Sequence, residues 1–283
     1  MKLGLRYETT YRYGEPVGFS PHELRLIPRG DRFHRIRRVD LRVSEHATVR
    51  YSRDFFDNTV ATIFFPERLP ELQFALEIDL DLEAKNPFDF ILEGDAVEMP
   101  FSYAAELHEV LRPYLKRHDA SVLNIPGWSP PNGEGRGTVS ALVSLNEALH
   151  KNVEYERREE GAALSPNETL RRGRGACRDL AVLLAEILRA SGLAARLVSG
   201  YLRSTDEETR HAEGSLHAWT EVFLPGAGWV GMDPTNGVFC NHNWISAAVG
   251  LTPAQITPIA GSYYHKARVA SEMTSKLELL QLC

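Results

Sequence analysis

Leu72, Phe74, Leu76, Ile78, Leu80 and Leu82 stand on alternate positions, with mostly polar or small residues between them. Successive side chains of a strand point to opposite faces, so a period of two buries one face and wets the other. The same alternation marks Leu3, Leu5, Tyr7, Thr9, Tyr11 and Tyr13, and again Val39, Leu41 and Val43. Turn signals such as Arg29-Gly30-Asp31 and Asp57-Asn58 punctuate these runs at short intervals. Half-buried strands joined in this way predict a small antiparallel β-sandwich over residues 1–85.

Past Lys85-Asn86-Pro87 the period lengthens. Residues 86–137 read as a linker with one helix, Tyr103 to Arg117, that carries Leu107, Val110, Leu111 and Leu115 on one side. The linker ends in a loop rich in proline and glycine, Pro126 to Gly137. Residues 138–283 read as a second unit. Thr138 to Lys151 has Leu142, Leu145, Ala148 and Leu149 at helical spacing. Ser165-Pro166-Asn167-Glu168 is a capping box with proline at the first helical position, opening a short helix that ends near Gly173. Asp179 to Ser191 is apolar on almost every side, broken mainly by Glu186 and Arg189, which predicts a buried helix stopped by Gly192. Ala194 to Tyr201 reads as a strand and Thr205 to Gly214 as a polar loop. Ser215 to Leu224 and Trp229 to Asp233 read as a hairpin across Pro225-Gly226-Ala227-Gly228. A final extended stretch, Ser262 to Leu282, could close the sheet.

Cys177 lies in Arg174-Gly175-Ala176-Cys177-Arg178-Asp179, where the buried helix should begin. A helix start offers unpaired N–H groups and the positive end of the dipole, both of which stabilise a thiolate. Glycines at 173 and 175 let the chain turn sharply into the helix. His217 shares one strand face with Trp219, while Ala218, Thr220, Val222 and Leu224 form the face packed on a core. That division leaves His217 free to look toward the helix. The midpoint of residues 217 and 233 falls in the predicted turn, so Asp233 should lie nearly opposite His217. Cys177, His217 and Asp233 are thus a nucleophile, its base and the base's orienter. Asp179 favours the helix start and is read as structural.

The stretch GRGACRDLAVLLAEILRASGLAARLVSGY, followed by HAWTEVFLPGAGWVGMDPTNG, resembles the core of the transglutaminase-like cysteine enzymes, related in fold to papain-type peptidases. Tyr11 to Val17 and Leu24 to Arg29 are similar to the β-rich N-terminal region of bacterial members. The resemblance implies an α+β papain-like, transglutaminase-core fold, a nucleophile helix packed on an antiparallel sheet. It also implies catalytic Cys177, His217 and Asp233 acting on a peptide or protein amide. Three outcomes stay open: hydrolysis as a cysteine protease or amidase, acyl transfer to an amine, and a non-catalytic peptide-binding scaffold. Relatives often carry Gly-Arg-Asp-Tyr where this chain has Gly250-Leu251-Thr252-Pro253, a departure expected to alter the rim of the cleft. Trp219 is a candidate wall of the cleft or shield over the His–Asp pair. Tyr155 is a candidate oxyanion donor, against a plain packing role.

Other readings bound the chemistry. Net charge is −6, which argues against general affinity for phosphate backbones. Six arginines between Arg29 and Arg42 read as a solvated strand face rather than a nucleic-acid patch. Cys240 and His242 invite a metal with Cys177 and His217, but their spacing matches no zinc pair. Asp206-Glu207-Glu208 lacks calcium-loop spacing. No cofactor or metal is expected. Three cysteines, Cys177, Cys240 and Cys283, make no disulfide framework and suit a reducing compartment. The first residues lack an apolar signal segment, and no apolar run nears the ~20 residues that span a bilayer. A cytoplasmic location without membrane attachment is therefore expected. The oligomeric state stays open.

Overall fold

The computed structural model describes residues 1–118, 125–130, 135–158, 161–203 and 216–282. The alternating runs are strands, as their period requires. They are β1 (Lys2–Phe19), β2 (His22–Leu24), β3 (His34–Val43), β4 (Thr48–Arg53), β5 (Thr59–Phe64) and β6 (Leu69–Leu82). One sheet pairs β1, β6 and β3 antiparallel, and a second pairs β2, β5 and β4. Leu72, Phe74, Leu76, Ile78 and Leu80 point into the core shared with Leu24 and Ile63 of the second sheet. The arginines of β3 face solvent and pair across it, Arg38 with Glu77 at 3.0 Å and Arg37 with Asp81. Arg29 departs from this pattern. It is part-buried and donates to the Phe56 carbonyl and Asn58 Oδ1, both at 2.8 Å.

The linker stretch carries β7 (Glu98–Met99) and α1 (Ala105–Leu115). There Leu111 is buried, but Val110, expected on the same side, is 71% exposed. Next come β8 (Arg136–Gly137), α2 (Thr138–Asn152), β9 (Glu154–Tyr155), α3 (Pro166–Arg172), β10 (Arg174–Gly175) and α4 (Cys177–Ala190). Ser165 caps α3, its hydroxyl accepting from the Glu168 amide, and Gly173 closes it in the left-handed region at φ 63°. A sheet follows, built from β11 (Ala195–Leu202), β12 (Leu216–Leu224), β13 (Gly228–Asp233), β14 (Val238–Phe239) and β15 (Trp244–Gly250). Its order is β14-β13-β12-β11-β15, antiparallel throughout. Leu180, Leu183 and Leu184 of α4 pack on Leu197, Val222 and Leu224 of the sheet. Glu186 and Arg189, the charges within its apolar stretch, are buried as a pair. Arg189 Nη1 donates to Glu186 Oε1 at 2.6 Å, and its Nη2 donates to the carbonyls of Ala195 and Leu251. The ion pair and these added hydrogen bonds make the buried charge tolerable.

The last stretch crosses from the second unit to the first. β16 (Ile259–Ala260), β17 (Tyr263–Tyr264) and β18 (Ser271–Leu282) leave the core sheet and return to the N-terminal ones. β18 pairs with β1 from Lys2↔Leu282 to Tyr13↔Ser271, and β16 pairs with β2. A strand edge leaves a row of unpaired N–H and C=O groups, and β18 supplies partners to that row on β1. The two units also share a core, since Tyr201, Ile245 and Ala247 pack among the sandwich residues. Tyr201 Oη donates to the Leu26 carbonyl at 2.6 Å, and the Asn58 amide exchanges two hydrogen bonds with the Val249 backbone. The boundary near residue 85 is therefore one in sequence, not in packing. The polar loop at 205–214, the acids at 206–208, residues 131–134 of the proline-rich loop and Cys283 lie outside the described residues.

Gly200 of β11 leaves no room for a side chain against β15. A Cβ there would sit 2.1 Å from the Ile245 carbonyl oxygen. Gly200→Ala should cost roughly 1–3 kcal/mol, as overpacking does. An unchanged midpoint in urea denaturation would contradict that approach.

Candidate active site

Cys177 is the first residue of α4, with Ala176 as N-cap in extended conformation. The turn into the helix is held by Asp179, which is fully buried. Its Oδ2 accepts from the Ala176 amide at 2.8 Å, and its Oδ1 accepts from the Leu164 amide at 2.8 Å and from Arg158 Nη2 at 2.7 Å. A carboxylate there satisfies stray amides and complements the helix dipole. Gly175 is needed for the close approach, because a Cβ on it would lie 3.0 Å from Asp179 Cβ. The structural reading of Asp179 thus has a specific content: it fixes the loop that presents the cysteine.

His217 lies at the start of β12 and Asp233 at the end of β13. Nε2 of the imidazole donates to Asp233 Oδ2 at 2.7 Å, with both side chains fully buried. The hairpin register differs from expectation. The ladder runs from Leu224↔Gly228 to Thr220↔Met232, so its continuation sets Asp233 beside Trp219 rather than His217. A slip of two residues keeps every side chain on its own face, and the carboxylate reaches the ring diagonally. The facing argument also changes. Ala218, Val222 and Leu224 pack on α4 itself, and Thr220 Oγ1 donates to the Ala181 carbonyl at 2.8 Å. His217 meets Cys177 because the helix tip abuts the beginning of β12, where the Ala218 amide also serves the sulfur.

The electrostatics form a chain. Burial pushes Asp233 up, but the imidazolium and its hydrogen bond, with Asn236 and Trp244, hold the carboxyl below its usual range. Burial pushes His217 down, yet the Asp233 charge and hydrogen bond, aided by the Cys177 sulfur, raise it to about 10. Burial pushes the half-buried Cys177 up, and the hydrogen bond and charge of His217 bring it net below the ordinary thiol value. His217 Nδ1 makes no well-aligned hydrogen bond, so it is the ring nitrogen left to face the thiol. Catalytic hydrogen bonds often tighten only around a substrate.

Two partners of Asp233 went unread in the sequence. Trp244 Nε1 donates to Oδ2 at 3.0 Å, and Asn236 Nδ2 donates to the same oxygen at 2.7 Å. Asn236 had a local signal, since Asp233-Pro234-Thr235-Asn236 is a turn whose side chains can reach back. Trp244 had none, because β15 meets Asp233 only through the folded sheet.

The thiol opens on a cleft of about 270 Å³. Tyr155 lines it, on β9 where it pairs with Gly175 two residues ahead of the cysteine. Its phenol is raised by burial and then by the Cys177 charge. Arg158 and Arg178 stand beside it, while Tyr7, Tyr11, Met273 and Ser275 come from the N-terminal sheet. Trp219 is not a wall of this cleft. It is 2% exposed, packed with Val198, Leu202 and Trp244, and its ring stacks on His217 at 6.2 Å and 25°. The Gly250-Leu251-Thr252-Pro253 departure is not on its rim either. Leu251, Thr252 and Pro253 line a separate cavity with Glu186 and Arg189. Cys240 is buried against Gly231, its thiol pushed well above the usual range by burial and by the Asp233 and Glu221 charges. His242 Nδ1 accepts from the Lys85 amide at 3.3 Å. Among the described residues, no cluster of three or more His, Cys, Asp and Glu could hold a metal, and no helix is long and apolar enough to cross a membrane.

Asp179→Ala would strand the Ala176 and Leu164 amides and leave Arg158 without its carboxylate. The expected loss is roughly 2–4 kcal/mol, read by urea denaturation. A loss under about 1 kcal/mol would mean that the cysteine loop does not depend on this acid.

Residues 132–234 match the family model of the transglutaminase-like superfamily, and residues 3–81 match that of the bacterial transglutaminase-like N-terminal region. An uncharacterized protein of Mycobacterium leprae (strain TN) is 27% identical over 287 residues, covering 99% of this chain and 99% of that protein. A protein-glutamine gamma-glutamyltransferase of Pseudomonas aeruginosa (strain PAO1) is 37% identical over 65 residues, which is 22% of this chain and 10% of that protein. The crystal structure of a candidate cysteine protease from Cytophaga hutchinsonii superposes with a TM-score of 0.73 at 16% identity, covering 100% of this chain and 92% of that one. That likeness extends the shared fold over the whole length. Residues 132–234 thus carry the core of the transglutaminase-like superfamily and residues 3–81 its bacterial N-terminal region, on a fold shared over the whole length with that structure.

Proposed function

We propose that this protein is a cysteine-dependent amide hydrolase, a peptidase or amidase acting through Cys177, His217 and Asp233. The observation that carries this reading is the buried imidazole held by Asp233 at 2.7 Å while it draws the Cys177 thiol down. The thiolate attacks the amide carbonyl carbon, and backbone amides at the start of α4 receive the developing oxyanion. Collapse breaks the C–N bond, and the imidazolium gives its proton to the leaving amine. Water, deprotonated by the imidazole, then attacks the thioester, releasing the acid and restoring the thiol. Tyr155, beside the sulfur, serves as a further donor or positioning group on the acyl side.

Amine transfer is the second reading, favoured by the local likeness to the Pseudomonas transferase. A screen of peptide amides with and without an added primary amine separates the two by product mass. Free acid supports hydrolysis, and an amine adduct supports transfer. Cys177→Ala should lower turnover by on the order of 10³ or more, and a signal that survives it would end the proposal. Should Cys177 label with a thiol probe at neutral pH no faster than Cys240, a non-catalytic peptide-binding scaffold is the better account.

The pH profile follows from the two shifts. The thiolate forms as pH rises through the lowered Cys177 pKa, and the imidazolium proton is lost as pH rises through about 10. Turnover should therefore be bell-shaped, with its acid limb below the ordinary thiol range. His217→Ala should move thiolate formation, measured by ultraviolet absorbance, back up into that range. An unmoved limb would show that the imidazole does not acidify the thiol. For stability the sign is fixed too. His217 rises from 6.5 on folding, so its contribution is full below pH 6.5 and fades as pH climbs through about 10.

A further inference from the structure

The cleft at Cys177 continues. A second cavity of about 390 Å³ adjoins it, and the two share Tyr11, Ile259 and Met273. The pairing of β1 with β18 explains why. Tyr7↔Leu277, Thr9↔Ser275, Tyr11↔Met273 and Tyr13↔Ser271 are opposed pairs, and residues two apart on a strand share a face. Tyr7, Tyr11, Met273 and Ser275 line the first cavity, and Tyr13 and Ser271 carry the same face into the second. One face of one sheet thus floors both. From Tyr7 to Tyr13 it runs about 20 Å along the strand.

The far cavity has its own chemistry. The rings of Tyr13 and Tyr263 lie 4.9 Å apart, and Tyr13 packs edge-on to Phe19 at 5.6 Å. Tyr263 is still 39% exposed, so its ring has surface to offer. Tyrosine rings present apolar faces with a polar tip and bury much area at little entropic cost. The rings suit an aromatic or aliphatic side chain, with His22 and Glu272 at the polar part of the same lining. The strand floor from Tyr7 to Tyr13 has the length of about six extended residues, at about 3.3 Å per residue.

We propose that β1 and β18 form a distal subsite of this cleft for an extended peptide donor, one with an aromatic or aliphatic side chain about four to six residues from the amide at Cys177. The proposal rests on the reading of Cys177 as nucleophile and gives the N-terminal sheet a part in choosing the substrate. It also commits the groove to a peptide, whose backbone supplies the amide that the thiol would attack.

The test needs no known substrate. Peptides of one, three and six residues, alanine throughout except for a phenylalanine at the end remote from the electrophile in the longest, are made in two polarities. One set carries an iodoacetyl group at the N-terminus and the other a chloromethyl ketone at the C-terminus. The rate of Cys177 alkylation is followed by mass spectrometry on the full chain. The expected result is a rise of about tenfold or more from one residue to six in one polarity. Tyr13→Ala and Tyr263→Ala should bring the six-to-one ratio back toward unity, while Tyr13→Phe and Tyr263→Phe keep it. Selective labelling of Cys177 with no gain from length in either polarity would overturn the subsite and leave the proposed chemistry standing. No selective labelling by any probe would remove the nucleophile reading, and the subsite with it. An iodoacetyl amino-sugar tetramer that outpaces the six-residue peptide would overturn the peptide assignment in favour of a glycan.

Discussion

A carboxylate shut away from solvent is the constraint on which the site depends. Removing an ion from water costs several kcal/mol even after relaxation, so a buried acid survives only where donors fill its lone pairs. Asp233 has His217, Trp244 and Asn236 on one oxygen and the Thr235 amide on the other. These donors come from β12, from β15 and from the turn that follows β13. The acid can keep its charge only once the sheet has assembled. From that charge follow the raised imidazole and the lowered thiol, each acting on the next.

The helix start obeys the same logic on a smaller scale. Asp179 is buried against two amides and Arg158, and the loop before Cys177 closes around it. The two carboxylates thus divide the labour: one holds the turn that carries the sulfur, and the other raises the ring whose charge lowers the thiol pKa. Neither is replaceable by a surface acid, because exposed charge is screened and mobile.

Much of this was legible in the chain. Period-two runs became strands, the capping box at Ser165 became a helix start, and the apolar run after Cys177 became the buried helix α4. Each departure from expectation has its own physical reason. The hairpin register shifted by two because turn geometry, not the midpoint of two functional residues, sets pairing. Trp219 is no cleft wall because its neighbours on β11 and β15 bury it, and of its two readings the ring over His217 fits the shield. Val110 faced outward because helical spacing names a stripe without saying how wide a stripe the neighbours cover.

The sequence by itself determined the local elements, the cysteine at a helix N-terminus, and the histidine and aspartate on adjoining strands. These rest on interactions within a few residues, where spacing and chemistry suffice. Only the tertiary structure decided that β18 returns to β1, that Trp244 supports Asp233, and that tyrosines from the first strand floor the groove beyond Cys177. Such choices pit one long-range partner against another of similar local pattern. What resolves them is which arrangement leaves the fewest polar groups unpaired and the least apolar surface wet.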